Sequence, residues 1–225
     1  MAQQFAVIGL GTFGAAIVRE LTRHGHEVMA VDKDLSRVEK VKDDVAFAIR
    51  LDAEDRRVLE AHDIHRVDVA IIAIGHDFEA VVLIAVELMQ LGVKRVMARV
   101  ESETQKKILE RLGVSDILSP EEEVAVHVAQ RLVHPEIVDF FQLSEGSRIV
   151  EVRVPERMLG KTLVELKLRE RFHCNVIVIK RKHDADEAGN ETPYYLEVPM
   201  PETQLQEGDA LIVLGLAKDV ERLAE

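Results

Sequence analysis

Cysteine occurs once in this 225-residue chain, at Cys174, so no intrachain disulfide is available and a disulfide-stapled scaffold is excluded. Long apolar runs are missing too. The longest, Ala80 to Val86, falls far short of the roughly 18 to 20 residues that span a bilayer, so a role in transport would not be that of the pore. The start MAQQFAVIGLG lacks the basic residues and small-residue cleavage site of a secretory signal, which gives the expectation of a cytosolic protein. Basic residues are the minority, 29 Lys and Arg against 41 Asp and Glu for a net charge of −12, and no Lys/Arg stripe follows a surface. Nucleic acid is therefore not expected as a partner. Catalytic arrangements are absent as well: no Tyr-x-x-x-Lys or Ser-His-Asp set is visible, and the nine histidines are scattered over helix ends and loops. His24 and His26 flank a turn glycine, and His62 and His65 have no third ligand nearby. Cys174 begins an apolar strand and reads as a small core residue rather than a nucleophile.

What is present is alternation. From Phe5 to about Leu132, short β-rich runs alternate with segments of helical period, the pattern of a parallel sheet wrapped by helices. Predicted strands are 5–8, 27–32, 46–51, 67–73, 95–99 and 116–118, and predicted helices are 13–24, 35–42, 55–62, 78–91, 102–112 and one opened by Ser119-Pro120 that ends near His134-Pro135. Asp and Ser stand at the helix starts, and Gly25, Gly92 and Gly113 at the ends. After Leu143-Ser144-Glu145-Gly146 the pattern changes to strand 148–154, helix 163–171, strand 175–180, a polar hairpin from His183 to Thr192, strands 194–198 and 210–214, and a last helix 218–223. The fold class is α/β, a Rossmann-like doubly wound parallel sheet followed by a small α+β domain. The expected division is 1–135 for a nucleotide-binding domain, 136–146 for a linker and 147–225 for a small ligand-binding domain.

Gly9-Leu10-Gly11-Thr12-Phe13-Gly14 follows a predicted strand and opens a helix, the context in which GxGxxG binds a pyrophosphate. The first glycine allows the tight turn, the second close backbone approach, and the third helix-on-strand packing, so phosphates are expected at Leu10 to Phe13. Asp32 ends the second strand, 23 residues after Gly9, placed to accept hydrogen bonds from ribose hydroxyls and to repel a 2′-phosphate; Lys33 follows it. Asp52-Ala53 ends the third strand, where Asp52 either contacts adenine or caps the helix that begins near Asp55. Gly75-His76-Asp77 ends the fourth, with His76 read as a solvated loop residue. Arg99 closes the fifth strand, either to meet phosphate or to pair with Glu101 or Glu103.

These segments resemble the regulators of potassium conductance, the RCK proteins of KtrA and TrkA type. The resemblance rests on AVIGLGTFG, AVDKD, LDAED, AIGHDFEA and ILSPEEEVA, then on LGKTLVELKLRERFHCNVIVIKR and EGDALIVLG, and it covers almost the whole chain. It implies a homo-oligomer, a dimer or an octameric ring, in the cytoplasm at the inner face of the membrane, docked to a membrane-embedded potassium-translocating partner of KtrB or TrkH type. It implies adenine nucleotide, ATP or ADP in KtrA-like members and also NAD(H) in TrkA-like ones, at Gly9, Gly11, Gly14, Asp32, Asp52 and Arg99. In relatives a carboxylate matching Glu121 binds Mg2+, another divalent ion, or Na+ beside the phosphates. Some relatives bind cyclic di-AMP in the small domain, at positions matching Leu163, Val164, Lys167, Arg169 and the Pro199 to Pro201 segment. Arg169 is the phosphate candidate there, its alternative being an i,i+4 pair with Glu165. Thr12 departs from the many ATP-sensing members that carry arginine at that position, which weakens γ-phosphate recognition and leaves NAD(H) open.

Ala80 to Val86 is apolar around the whole helical circumference, so its outer side calls for a cover, from a second subunit or from the C-terminal domain. The helix from Glu121 to Leu132 carries Val124, Val128 and Leu132 at i,i+4 spacing and reads as an arm reaching a neighbour. The rival class is a small NAD-dependent oxidoreductase, since the glycine turn and its acid serve hydride transfer equally well; such an enzyme needs a general acid or base beside the nicotinamide.

Overall fold

The computed structural model describes residues 3–144, 146–182 and 194–224. The predicted hairpin at His183 to Thr192 lies outside the described residues. The chain divides into two compact units, one ending at Glu122 and the other beginning at Glu123.

The first unit runs β1 (Gln4–Ile8), α1 (Thr12–Arg23), β2 (Glu27–Asp32), α2 (Leu35–Glu39), β3 (Phe47–Arg50), α3 (Arg56–Ala61), β4 (Val69–Ile72), α4 (Phe78–Gln90), β5 (Val96–Arg99), α5 (Glu103–Leu112) and β6 (Asp116–Leu118), followed by α6 (Pro120–Val133), which crosses the boundary. Every strand pair is parallel, in the order β3-β2-β1-β4-β5-β6. The order reverses beside β1, which opens a crevice at the carboxyl ends of the strands. After Gln4, β1 is apolar, as is the whole of β4, because both sheet faces are covered: Ala6 and Ile8 join the core beneath α4, and Phe5 and Val7 the core beneath α1. Side chains at the predicted starts cap the helices, Asp34 accepting from Ser36 N–H at 2.8 Å, Asp55 from Arg57 N–H at 2.9 Å, Asp77 from Ala80 N–H at 3.1 Å and Ser102 from Gln105 N–H at 3.3 Å.

α4 is more fully covered within this unit than its sequence suggests. Ala80, Val81, Ile84, Ala85 and Leu88 are buried, Val82 packs partly against the same core, and of the apolar run only Leu83 is exposed. α6 is the opposite case, with no buried residue and with Val124, Val128 and Leu132 all exposed.

The second unit contains β7 (Ile137–Ser144), β8 (Ser147–Arg153), α7 (Leu163–Leu166), α8 (Leu168–Phe172), β9 (Asn175–Lys182), β10 (Tyr194–Glu197), β11 (Ala210–Leu216) and α9 (Ala217–Ala224). Its sheet is antiparallel, in the order β10-β9-β11-β8-β7. The stretch 136–146, expected as a linker, is instead largely strand β7, paired along β8. Register shifts between Ile137 and Asp139 and between Gln142 and Ser144 break the two-residue alternation by which a strand is read from sequence. The single helix predicted over 163–171 is two short helices joined at Lys167, which is left-handed at φ 49°. Leu166 and Leu168 are both buried in one core with Phe172. In a continuous helix, residues two apart point to opposite sides, so the break lets both leucines face inward.

Candidate functional site

The crevice beside β1 is a cleft of about 820 Å³, within the range of small-ligand sites. Gly9, Gly11, Thr12, Phe13, Asp32, Lys33, Asp52, Ala53, Gly75, Arg99 and Glu121 all line it.

Its floor is the glycine turn. Gly9 has φ +97°, and a Cβ there would lie 2.8 Å from Ile74 Cγ1. A Cβ on Gly14 would stand 1.9 Å from the Gly9 carbonyl oxygen, so only glycine lets α1 start this close to β1. At Gly11 a Cβ would meet nothing within 4 Å, and the space above it is open. Ala15 N–H makes the first helical bond to Gly11 C=O, and no side chain caps α1. The amides of its first turn therefore have no partner within the helix, and their dipole favours an anion.

Asp32 is the wall. Its side chain is only 5% exposed, and its Oδ2 accepts from Leu10 N–H at 2.7 Å while Oδ1 accepts from Asp34 N–H at 2.8 Å. This corrects the expectation for Leu10, whose amide serves the carboxylate rather than a phosphate; the donors left for phosphate are those from Gly11 onward. Ionised carboxylate has about four lone-pair sites, so two backbone bonds leave acceptor capacity for a ribose diol. Arg37, which sequence reasoning missed, lies 3.6 Å from Asp32 Oδ2 at the cleft rim. Asp52 does not cap α3, since Asp55 does; its Oδ1 accepts from Glu54 N–H at 3.1 Å.

Arg99 sits at the far side, its guanidinium carbon 5.7 Å from the Phe13 ring centroid. Its partners are Glu121, in direct hydrogen bond, and Glu101 at 3.6 Å, not Glu103. The Glu121 carboxylate, expected beside a cation, is held by Arg99, and among the described residues no three His, Cys, Asp or Glu side chains gather around a common point. His76 is 97% exposed, with Nδ1 3.5 Å from Glu101. Three cations, Lys33, Arg37 and Arg99, face five acids, Asp32, Asp52, Glu54, Asp77 and Glu121, across the cleft, which leaves it two net negative charges.

The residues proposed for a second ligand lie together on α7, the break and α8. Val164 N–H donates to Pro201 C=O at 2.9 Å, tying the two segments, and Leu163 N–H donates to Thr203 C=O. Val164 is 57% exposed. Lys167 pairs with Glu170 at 3.8 Å. Arg169 Nε donates to Asn175 Oδ1 at 2.7 Å rather than pairing with Glu165, whose carboxylate closes a capping box on Thr162. Cys174 is buried and its thiol is pushed up to about 11 by that burial, as befits a core residue.

Residues 5–120 match the TrkA-N domain and residues 148–225 the TrkA-C domain. The Ktr system potassium uptake protein C of Bacillus subtilis is 32% identical over 222 residues, covering 99% of this chain and 96% of that protein. The Ktr system potassium uptake protein A of Vibrio alginolyticus is 32% identical over 213 residues, covering 95% and 92%. Among solved structures, the GsuK RCK domain is similar with a TM-score of 0.55 and 25% identity; the match covers 97% of this chain but 45% of that one. The NAD(P)-binding domain of an exopolyphosphatase-related protein from Archaeoglobus fulgidus matches 58% of this chain and 98% of its own length, with a TM-score of 0.52 and 27% identity.

Proposed function

Because the chain belongs to the TrkA-N/TrkA-C family of potassium uptake proteins, we propose that it is a regulatory subunit that reads adenine nucleotide and gates a membrane-embedded potassium-translocating partner of KtrB or TrkH type. Its family is one of non-catalytic subunits, which sets the oxidoreductase alternative aside. The observation that carries the reading is the cleft itself, where the glycine turn and the buried Asp32 stand in contact at 2.7 Å on the carboxyl edge of the sheet. Phosphates lie at the amides of Gly11 to Phe13, ribose on Asp32, and adenine toward Asp52 and Ala53. Thr12 in place of a guanidinium, together with the cleft's excess of acids, favours NAD(H) or ADP over ATP, the most highly charged of the three.

In this reading the nucleotide is held within residues 1–135, and 147–225 hold a second ligand, cyclic di-AMP, at Leu163, Val164, Lys167, Arg169 and Pro201. The protein works in the cytoplasm at the inner face of the membrane, held there by its partner. No helix among the described residues is long and apolar enough to cross a membrane, so the pore is supplied by that partner. A ligand shifts the subunit between shapes by no more than its preference for one of them, and a tenfold preference is about 1.4 kcal/mol. A sharp switch therefore needs several coupled sites, which a dimer or an octameric ring provides.

Calorimetry of the full chain with ADP, ATP, NAD and NADH, with and without Mg2+, tests the ligand. Asp32→Ala is expected to remove binding of every adenine nucleotide. Because Asp32 also anchors the glycine turn, the companion measurement leaves the protein intact: 2′-deoxy-ADP should bind about tenfold more weakly than ADP, one charge-assisted hydrogen bond being lost. Equal affinities would refute the ribose assignment.

A further inference from the structure

Three arginines converge on one ring in the second unit. The guanidinium carbons of Arg157, Arg171 and Arg222 lie 6.0, 5.4 and 5.9 Å from the centroid of Phe172. They come from three elements, a short 3₁₀ turn at Glu156–Met158, helix α8 and helix α9, so the fold gathers them rather than one helix face. Phe172 itself is buried in the core of this unit. Arginine stems can shield the outer part of such a ring, but shielding does not call for three like charges around one point.

Each arginine is held differently. Arg157 Nη2 donates to Leu223 C=O at 2.9 Å and to Arg222 C=O at 3.4 Å, which caps the carboxyl end of α9 and fixes that side chain. Arg222 Nη1 lies 3.6 Å from Oδ1 of the buried Asp219. Arg171 touches Phe172 and, among the described residues, meets no carboxylate. Glu170, beside it in sequence, is paired with Lys167 at 3.8 Å. Arg169, two positions earlier and so on the other side of α8, is bonded to Asn175. The cluster therefore uses none of the residues assigned to cyclic di-AMP.

Three guanidiniums against the one carboxylate of Asp219 leave two positive charges, in a chain whose net charge is −12. A carboxylate ligand would offset one of them. A phosphate monoester brings about −1.5 to −2 charges at pH 7 and three acceptor oxygens, which guanidinium forks match in pairs. We propose that Arg157, Arg171 and Arg222 form a binding site for a phosphate monoester. Arg157 and Arg222 are preset by their own partners, and Arg171 supplies the fork that has none. A soluble phosphate and the headgroup of an anionic lipid such as phosphatidate both present this group.

Two measurements on the full chain separate those sources: calorimetry with inorganic phosphate and glycerol 3-phosphate, and co-sedimentation with phosphatidylcholine vesicles with and without phosphatidate. The glycine turn offers a phosphate a second place, so the site is read as the binding that Arg171→Gln removes. Arg171 donates no hydrogen bond within the described residues, so the variant should keep its midpoint in urea. It is expected to weaken the soluble phosphates about tenfold, one charge-assisted fork being lost; for a lipid source, binding to phosphatidate vesicles falls about fivefold instead. Arg171→Lys, which keeps the charge and loses the fork, lies between, and Arg222→Gln gives a loss comparable to that of Arg171→Gln. Arg66→Gln, which removes an exposed arginine of the first unit paired with Asp63, changes neither. A wild type that binds none of the probes overturns the proposal, as does binding indifferent to Arg171 in both measurements. An equal loss in Arg66→Gln overturns it too, since the effect is then one of net charge.

Discussion

The cleft in the first unit and the α7–α8 surface in the second differ in how much of each site one chain builds. Around the cleft, strand order alone makes a concavity: the chain leaves the paired strands β1 and β4 toward opposite faces of the sheet, the glycine turn forms the floor and Asp32 is 94% buried in the wall. On the second surface the corresponding residues are organised but outward, with Val164, Val198 and Met200 each more than half exposed and Arg169 bonded to Asn175. A site at a topological switch point is concave by construction, whereas a site on a helix break gains depth only from whatever else lies on it.

The largest test of that contrast is Gly14→Ala. With its Cβ 1.9 Å from Gly9 C=O, the variant should lose about 3 kcal/mol of stability in the first unit, read by urea denaturation, along with all nucleotide binding. Binding of cyclic di-AMP should survive, because the second unit has its own core; its loss would erase the distinction. Next in size is the state of assembly. Replacing Val124, Val128 and Leu132 by Ser removes three exposed apolar side chains from α6, and light scattering should show a lower mass than the wild type, which is itself expected well above 25.3 kDa. If the second site needs another copy, cyclic di-AMP affinity falls with the mass while nucleotide affinity holds. The smallest effect is that of Arg169→Ala, which should weaken cyclic di-AMP about fivefold, near 1 kcal/mol, and leave ADP untouched. An unchanged affinity would remove Arg169 from the site.

The first unit was legible because its signals are local. Predicted strands 27–32 and 116–118 are those observed, and helix starts fall at Asp34, Asp55, Asp77 and Ser102, where a short side chain meets an amide two or three residues on. The glycine turn and its acid were legible for the same reason, a strand, a turn and a helix in sequence order. Arg37 was not, since its approach to Asp32 depends on the angle at which α2 leaves the sheet. The pairing of Arg99 with Glu121 joins residues 22 apart. A usable signal existed, because a residue ending β5 and one following β6 share the same sheet edge once those strands are adjacent. β7 and the break at Lys167 were hidden by long-range demands: a bulged register in one case, two leucines sharing one core in the other.

The hydrogen bond from Leu10 to Asp32 has a kinetic consequence. A floor and wall already fastened to each other have no loop to order when a molecule arrives, so association should run without a preceding rearrangement. In the proposed reading, occupancy then follows the supply of nucleotide in the surrounding solution as quickly as the occupant departs, and any delay in the response is expected downstream, in the movement of whole subunits.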